Sequence, residues 1–331
     1  MNVPRFEEAL LAKPATAEKG DLFQQFVQDL LSLEYPGLHP FPGAGKDGGI
    51  DLVQKTEASR LVVECKYVGS DGLQPAQTRW NEVADKFRRN LTDPAGPPTT
   101  EPQYGPWYKT DPAIGSYLFC VSSIVKNLNQ FDKLETKIAD FFKELSAKHA
   151  HLKHLADVAV TVLDWNDLAT RFQQHPHLLF RWFPRSRPLG LTPLDEQPES
   201  GTFRAYLSSD KLTYYSREQF LAETGNAATL PSEAELLQLL DRGDLTGLIL
   251  TGSGGVGKTR LTLELGRTAL RQGWLVLRVG KKLRENALEQ LAEQITPQTR
   301  VLLLLDYIET QQDFSDVAGK LEDLNATYSL R

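Results

Sequence analysis

The run TGLILTG (246–252) leads directly into Gly252-Ser-Gly-Gly-Val-Gly-Lys-Thr259, and an amphipathic run, TRLTLELGRTALRQG, follows at once. This matches GxxxxGK[ST] in full, and few architectures other than a parallel α/β sheet accommodate strand, glycine loop and helix in that order. The glycines let successive backbone N–H groups wrap an anion at a helix N-terminus, where the macrodipole also favours negative charge. Gly252, Gly254, Gly255 and Gly257 are therefore expected to cradle nucleotide phosphates, with Lys258 reaching the β/γ-phosphates and Thr259 ligating Mg²⁺. Downstream, WLVLRVG (274–280), ENALEQLAEQI and VLLLLDYIE (301–309) alternate strand with helix. Asp306, after five apolar residues, is expected to hold Mg²⁺ through water, and Glu309 to polarise an attacking water.

A second concentration of chemistry lies far upstream, in GKDGGIDLVQKTEASRLVVECK (45–66). It reads as a hairpin of strands 50–53 and 61–66 behind a glycine-rich bend. Side chains alternate along a strand, so Glu64 and Lys66 share a face. A hairpin closing symmetrically over 55–60 sets Asp51 opposite Glu64. Two carboxylates and an ammonium then share one patch. Carboxylate oxygens suit a hard divalent ion such as Mg²⁺ or Mn²⁺, whose bound water can attack a phosphate.

Around this hairpin the chain reads as alternating elements. Leu22, Phe23, Phe26, Val27, Leu30 and Leu31 make a helical stripe from Asp21 onward. A helix is expected over 75–91, then an irregular loop over 92–113, which holds six prolines. Tyr104, Trp107 and Tyr108 in that loop are expected to pack over the core rather than to meet DNA. Strand 116–123, helix 132–148, strand 158–165 and helix 167–174 complete the first half. His149, His151 and His154 sit at a helix end without further Cys or His at zinc spacing, and read as a solvated terminus. The proline-rich run 185–200 reads as a linker.

Net charge is −6, with the acidic excess concentrated after residue 190. The first half is thus the less hostile to a phosphate backbone, and it carries the local clusters Lys86/Arg88/Arg89 and Arg181/Arg185/Arg187. Two cysteines, Cys65 and Cys120, lie in apolar strand-like runs and read as reduced core thiols. No apolar run approaches the roughly 18 residues of a membrane span, which predicts no membrane association and a cytoplasmic location.

The spacing D-(x12)-E-x-K resembles the PD-(D/E)xK nuclease superfamily, and GxDGGID with VECKY narrows the likeness to Mrr-like restriction endonucleases. The resemblance covers about residues 15–187 and implies a restriction-endonuclease-like mixed sheet flanked by helices. It also implies a metal-dependent endonuclease acting on double-stranded DNA, with Asp51 and Glu64 as metal ligands and Lys66 as catalytic lysine. Gln77, near the start of a helix, matches a polar position that holds the lysine or the DNA. The family's metal-assisting Glu on the preceding helix is replaced here by Gln24 and Gln25, with Asp21 and Asp29 nearby, so a third acidic ligand stays open. GGVGKTRL with LLLLDYIE resembles the STAND class of P-loop NTPases, and the fusion resembles Avs-type antiviral defence proteins. That likeness implies ATP, a homo-oligomer in the full-length protein and a phage-derived trigger. The expected organisation is a nuclease domain over 1–187, a linker or adaptor over 188–231, and the N-terminal part of a P-loop domain over 232–331. Only three of about five strands are identifiable in that last portion, which reads as an N-terminal fragment. Two rivals remain: an ATP-dependent restriction-type translocase, and a degenerate scaffold that binds DNA or a partner.

Overall fold

Strand-forming runs rich in Val, Leu and Ile build the first sheet. The computed structural model describes residues 4–11, 18–41, 48, 50–97, 102–125, 128–194, 231–242, 245, 247–280, 286–305 and 314–330. The chain divides into two compact units, Asn2–Leu178 and Leu179–Arg331.

In the first unit, strands β1 (His39–Pro40), β2 (Leu52–Lys55), β3 (Arg60–Lys66), β4 (Ile114–Val121) and β5 (Ala159–Leu163) lie side by side in chain order. β1, β2 and β3 are antiparallel neighbours, whereas β3, β4 and β5 run parallel. This is a mixed five-stranded sheet flanked by helices: α1 (Phe6–Leu10), α2 (Lys19–Leu31), α3 (Leu73–Asn90), α4 (Leu128–Lys148) and α5 (Trp165–Gln173). Alternation along β3 separates two faces. Val62 belongs to the core that also buries Trp80, Val83 and Phe87 of α3, and Leu134, Ile138 and Phe142 of α4. α2 packs against β3 and α5, where the Phe26 ring stacks on Phe172 at 4.8 Å between centroids. Asp164 caps α5 by accepting from the N–H groups of Asn166 and Asp167, and its other oxygen accepts from Val125 N–H at 2.8 Å.

Part of the stretch expected as an irregular loop has regular structure that its prolines do not imply. Pro102–Tyr108 form a 3₁₀ turn that drives Tyr104 and Trp107 into the core. Tyr108 stays half-buried, stacked on His151 at 5.3 Å, and donates to the Asn90 carbonyl. His151 and His154 use Nε2 on the carbonyls of Leu91 and Trp107, so these rings fasten the turn to its surroundings rather than being merely solvated.

The second unit carries β6 (Leu191–Pro193), β7 (Leu275–Val279), β8 (Arg300–Leu304) and β9 (Ser329–Leu330) in that order, with β6 antiparallel and the rest parallel. β6 comes from the run read as a linker. After α6 (Pro176–Trp182), the helices of the second unit are α7 (Glu233–Asp241), α8 (Lys258–Arg271), α9 (Ala287–Ala292) and α10 (Phe314–Asn325). Leu236, Leu237 and Leu240 of α7 pack on Leu265 and Ala269 of α8 and on Val276, Leu302 and Leu304 of the sheet. Gly266 lets α8 approach closely: a Cβ there would lie 2.6 Å from Leu194 Cδ2 and 2.8 Å from Leu304 Cδ1.

One expected strand is absent. Residues 247–252 are described but form no ladder, and Ile249 is 66% exposed. A strand exists only where a neighbouring edge offers N–H and C=O groups. The edge strands of this sheet, β6 and β9, span three and two residues, so they offer little to a seven-residue run. Of the linker or adaptor expected over 188–231, residues 195–230 lie outside the described residues.

Candidate active site and phosphate loop

The hairpin places the three charged residues together. The register Leu52↔Val63 through Lys55↔Arg60, extended by one residue, sets Asp51 opposite Glu64. Asp51 N–H donates to the Val63 carbonyl at 2.9 Å, which continues the ladder past the end of β2. The strand itself begins at Leu52, two residues later than its composition implies.

Asp51 is 6% exposed and Glu64 1% exposed, so both carboxylates are withdrawn from bulk water. Such groups require compensating partners. Cys65 N–H donates to Asp51 Oδ2 at 2.5 Å. The Lys66 ammonium lies 3.7 Å from that same oxygen and pairs closely with Glu64 Oε1. Gln24, on α2, donates its amide to the Asp51 backbone carbonyl at 3.0 Å. The glutamine at the position where the resembling family carries a further acid thus fixes the Asp51 backbone instead. Gln77 is half-buried on α3, and no hydrogen bond or ion pair joins it to the trio.

The approach to Asp51 is held from the side. Trp107 donates its indole N–H to the Gly48 carbonyl at 2.9 Å. Gly48 has φ +64°, and a Cβ there would lie 2.6 Å from the Gln103 carbonyl oxygen, so both backbone conformation and space demand glycine. The neighbouring Gly49 lies outside the described residues. Nothing in the hydrophobic pattern announces the Trp107 contact, because its partner is 59 residues away.

Cys65 and Cys120 are registered partners on β3 and β4, and both are free and buried. Burial, reinforced by the hydrogen bond with Cys120, pushes the Cys65 thiol well above its ordinary pKa, so it is a poor nucleophile. Of the basic clusters, Arg88 is engaged with Asp85 at 2.9 Å and lies over the Phe141 ring, and Arg187 Nε donates to the Phe180 carbonyl.

Two carboxylates of this kind make a hard oxygen donor set, and the ammonium between them marks where positive charge is stabilised. Among the described residues no group of three or more His, Cys, Asp or Glu is placed to hold a metal ion. A metal at this pair would therefore complete its coordination with water, as Mg²⁺ commonly does.

In the second unit, Gly252, Gly255 and Gly257 have φ of +154°, +78° and +91°, and the loop is exposed up to the N-terminus of α8. A Cβ at Gly254, Gly255 or Gly257 would meet nothing within 4 Å, so the space beside the loop backbone is open there. Lys258 Nζ donates to the carbonyls of Gly252 at 2.8 Å and Ser253 at 2.9 Å, which curls its side chain across the loop. Thr259 follows in the first turn of α8. Asp306 and Glu309 lie outside the described residues.

No protein-family model matches the chain, and no curated protein matches it. No helix among the described residues is long and apolar enough to cross a membrane.

Proposed function

We propose that the first unit is a Mg²⁺- or Mn²⁺-dependent endodeoxyribonuclease acting on double-stranded DNA, and that the second binds ATP through Gly252–Thr259. The observation that carries the first part is the convergence of Asp51 and Glu64, both buried, on the Lys66 ammonium. Asp51 and Glu64 would hold the ion. When bound, Mg²⁺ supplies neutralising charge at a phosphate and an acidified water. Lys66 then offers N–H donors to phosphate oxygens as they gain charge, where preorganised donors count most. Cys65 N–H and the Gln24 amide keep Asp51 from turning away. Gln77 would contact the lysine or the DNA strand.

For the second part, support comes from the open glycine loop at the head of a fourteen-residue helix. Lys258, now spent on two carbonyls, would exchange them for β- and γ-phosphate oxygens. We assign the pair of modules to an ATP-regulated STAND-type effector of antiphage defence, with double-stranded DNA as its target. The test is plasmid relaxation and linearisation with Mg²⁺ or Mn²⁺, comparing the wild type with Asp51→Ala, Glu64→Ala and Lys66→Ala. Cleavage by the wild type, lost in all three, is the expected result. Persisting cleavage in Asp51→Ala would overturn the assignment.

A further inference from the structure

The phenol of Tyr117 is a cost that the ion-free fold does not recover. Tyr117 is fully buried, its ring walled by Trp80, Trp107 and Phe142 at centroid distances of 6.2, 6.0 and 5.2 Å. Its hydroxyl has no hydrogen-bond partner among the described residues. A buried hydroxyl left unpaired costs on the order of 1–3 kcal/mol, and phenylalanine would fill the same space without that cost.

The position is telling. Tyr117 on β4 registers with Val62 on β3, and Phe119 registers with Glu64, so Tyr117 and Glu64 share the α3 face of the sheet one step apart. Trp107, which touches the Tyr117 ring, is the residue that holds Gly48 on the approach to Asp51. After burial itself, the Glu64 and Asp51 carboxylates are the leading influences raising the phenol's pKa, so the hydroxyl stays a proton donor within reach of their field. Carboxylates that hold a metal are commonly oriented by a donor behind them.

We propose that Tyr117 is a positioning residue of this site: its hydroxyl donates to the Glu64 carboxylate when the Asp51–Glu64 pair holds a divalent cation. The inference rests on the nuclease reading, though its test separates the two. Mn²⁺ binding to the intact chain is measured by electron paramagnetic resonance, for the wild type and Tyr117→Phe, beside thermal unfolding in chelator. Tyr117→Phe is expected to bind Mn²⁺ about tenfold more weakly. Its unfolding temperature in chelator should be unchanged or higher, because no hydrogen bond is lost from the ion-free fold. Equal Mn²⁺ affinity in the two proteins overturns this inference alone. A lower unfolding temperature in chelator also overturns it, because the hydroxyl would then have a structural partner. If the wild type binds no Mn²⁺, the nuclease reading falls and this inference with it.

Discussion

An ammonium between two buried carboxylates acts as a counter-ion supplied by the chain itself. Lys66 is 23% exposed while Asp51 and Glu64 are nearly sealed, so removing the lysine leaves two like charges facing each other out of water. Breaking a buried pair in this way typically costs about 3–5 kcal/mol. Lys66→Ala is therefore expected to lower the unfolding free energy by about 3 kcal/mol in chelator, measured by urea denaturation. Millimolar Mg²⁺ should restore part of that loss, since a cation that binds only the folded state stabilises it. Equal stability with and without Mg²⁺ would mean that the pair does not take the ion. At this scale the sequence was readable where chemistry follows strand periodicity. Asp51, Glu64 and Lys66 meet because side chains alternate and the hairpin closes over 55–60. Gln24 and Tyr117 could not be read in the same way, because their roles come from a helix and a strand brought alongside by tertiary packing.

At the scale of elements, the 3₁₀ turn Pro102–Tyr108 holds the backbone just ahead of Asp51, through Trp107 and Gln103 against Gly48. Its composition reads as loop, and its order comes from Tyr104 and Trp107 finding the core, which no local pattern encodes. Gly48→Ala sets a Cβ against the Gln103 backbone in left-handed conformation. It should cost about 2 kcal/mol or more in urea denaturation and displace the turn from Asp51. His154 fastens the other side of that turn, and burial lowers its pKa. A histidine with a depressed folded pKa contributes stability that is complete above the unfolded value of about 6.5 and is lost as pH falls below it. His175, also lowered by burial, adds a slope of the same sign. Unfolding free energy should thus fall between pH 7 and pH 5, and the slope should be shallower in His154→Gln, measured by urea titration at each pH. The run 247–252 makes the converse point. Its apolar composition favours a strand, but a strand also needs an edge to bond with, and sequence periodicity says nothing about edges.

Across the whole molecule, each unit has its own sheet and its own apolar cluster. The α/β character of both halves was legible from element order. The point where one unit gives way to the next was less so, since β6 is drawn from a proline-rich run that reads as a tether. Separate cores imply separable chemistry. Lys258→Ala should weaken ATP binding, read by calorimetry, because it removes the cation now held by the Gly252 and Ser253 carbonyls. The same variant should cut DNA in the absence of nucleotide at the wild-type rate. A matching loss of nucleotide-free cleavage would show that the two units do not act separately.

The bond from the Trp107 indole to the Gly48 carbonyl also has an optical consequence. The chain carries five tryptophans, and this one is fully enclosed with its N–H committed to the backbone just ahead of Asp51. Indole emission responds to the polarity around the ring and to the hydrogen bond it donates. In a variant keeping Trp107 alone, the emission maximum becomes a built-in gauge of whether that backbone stays in place as ions and DNA arrive, with no dye attached.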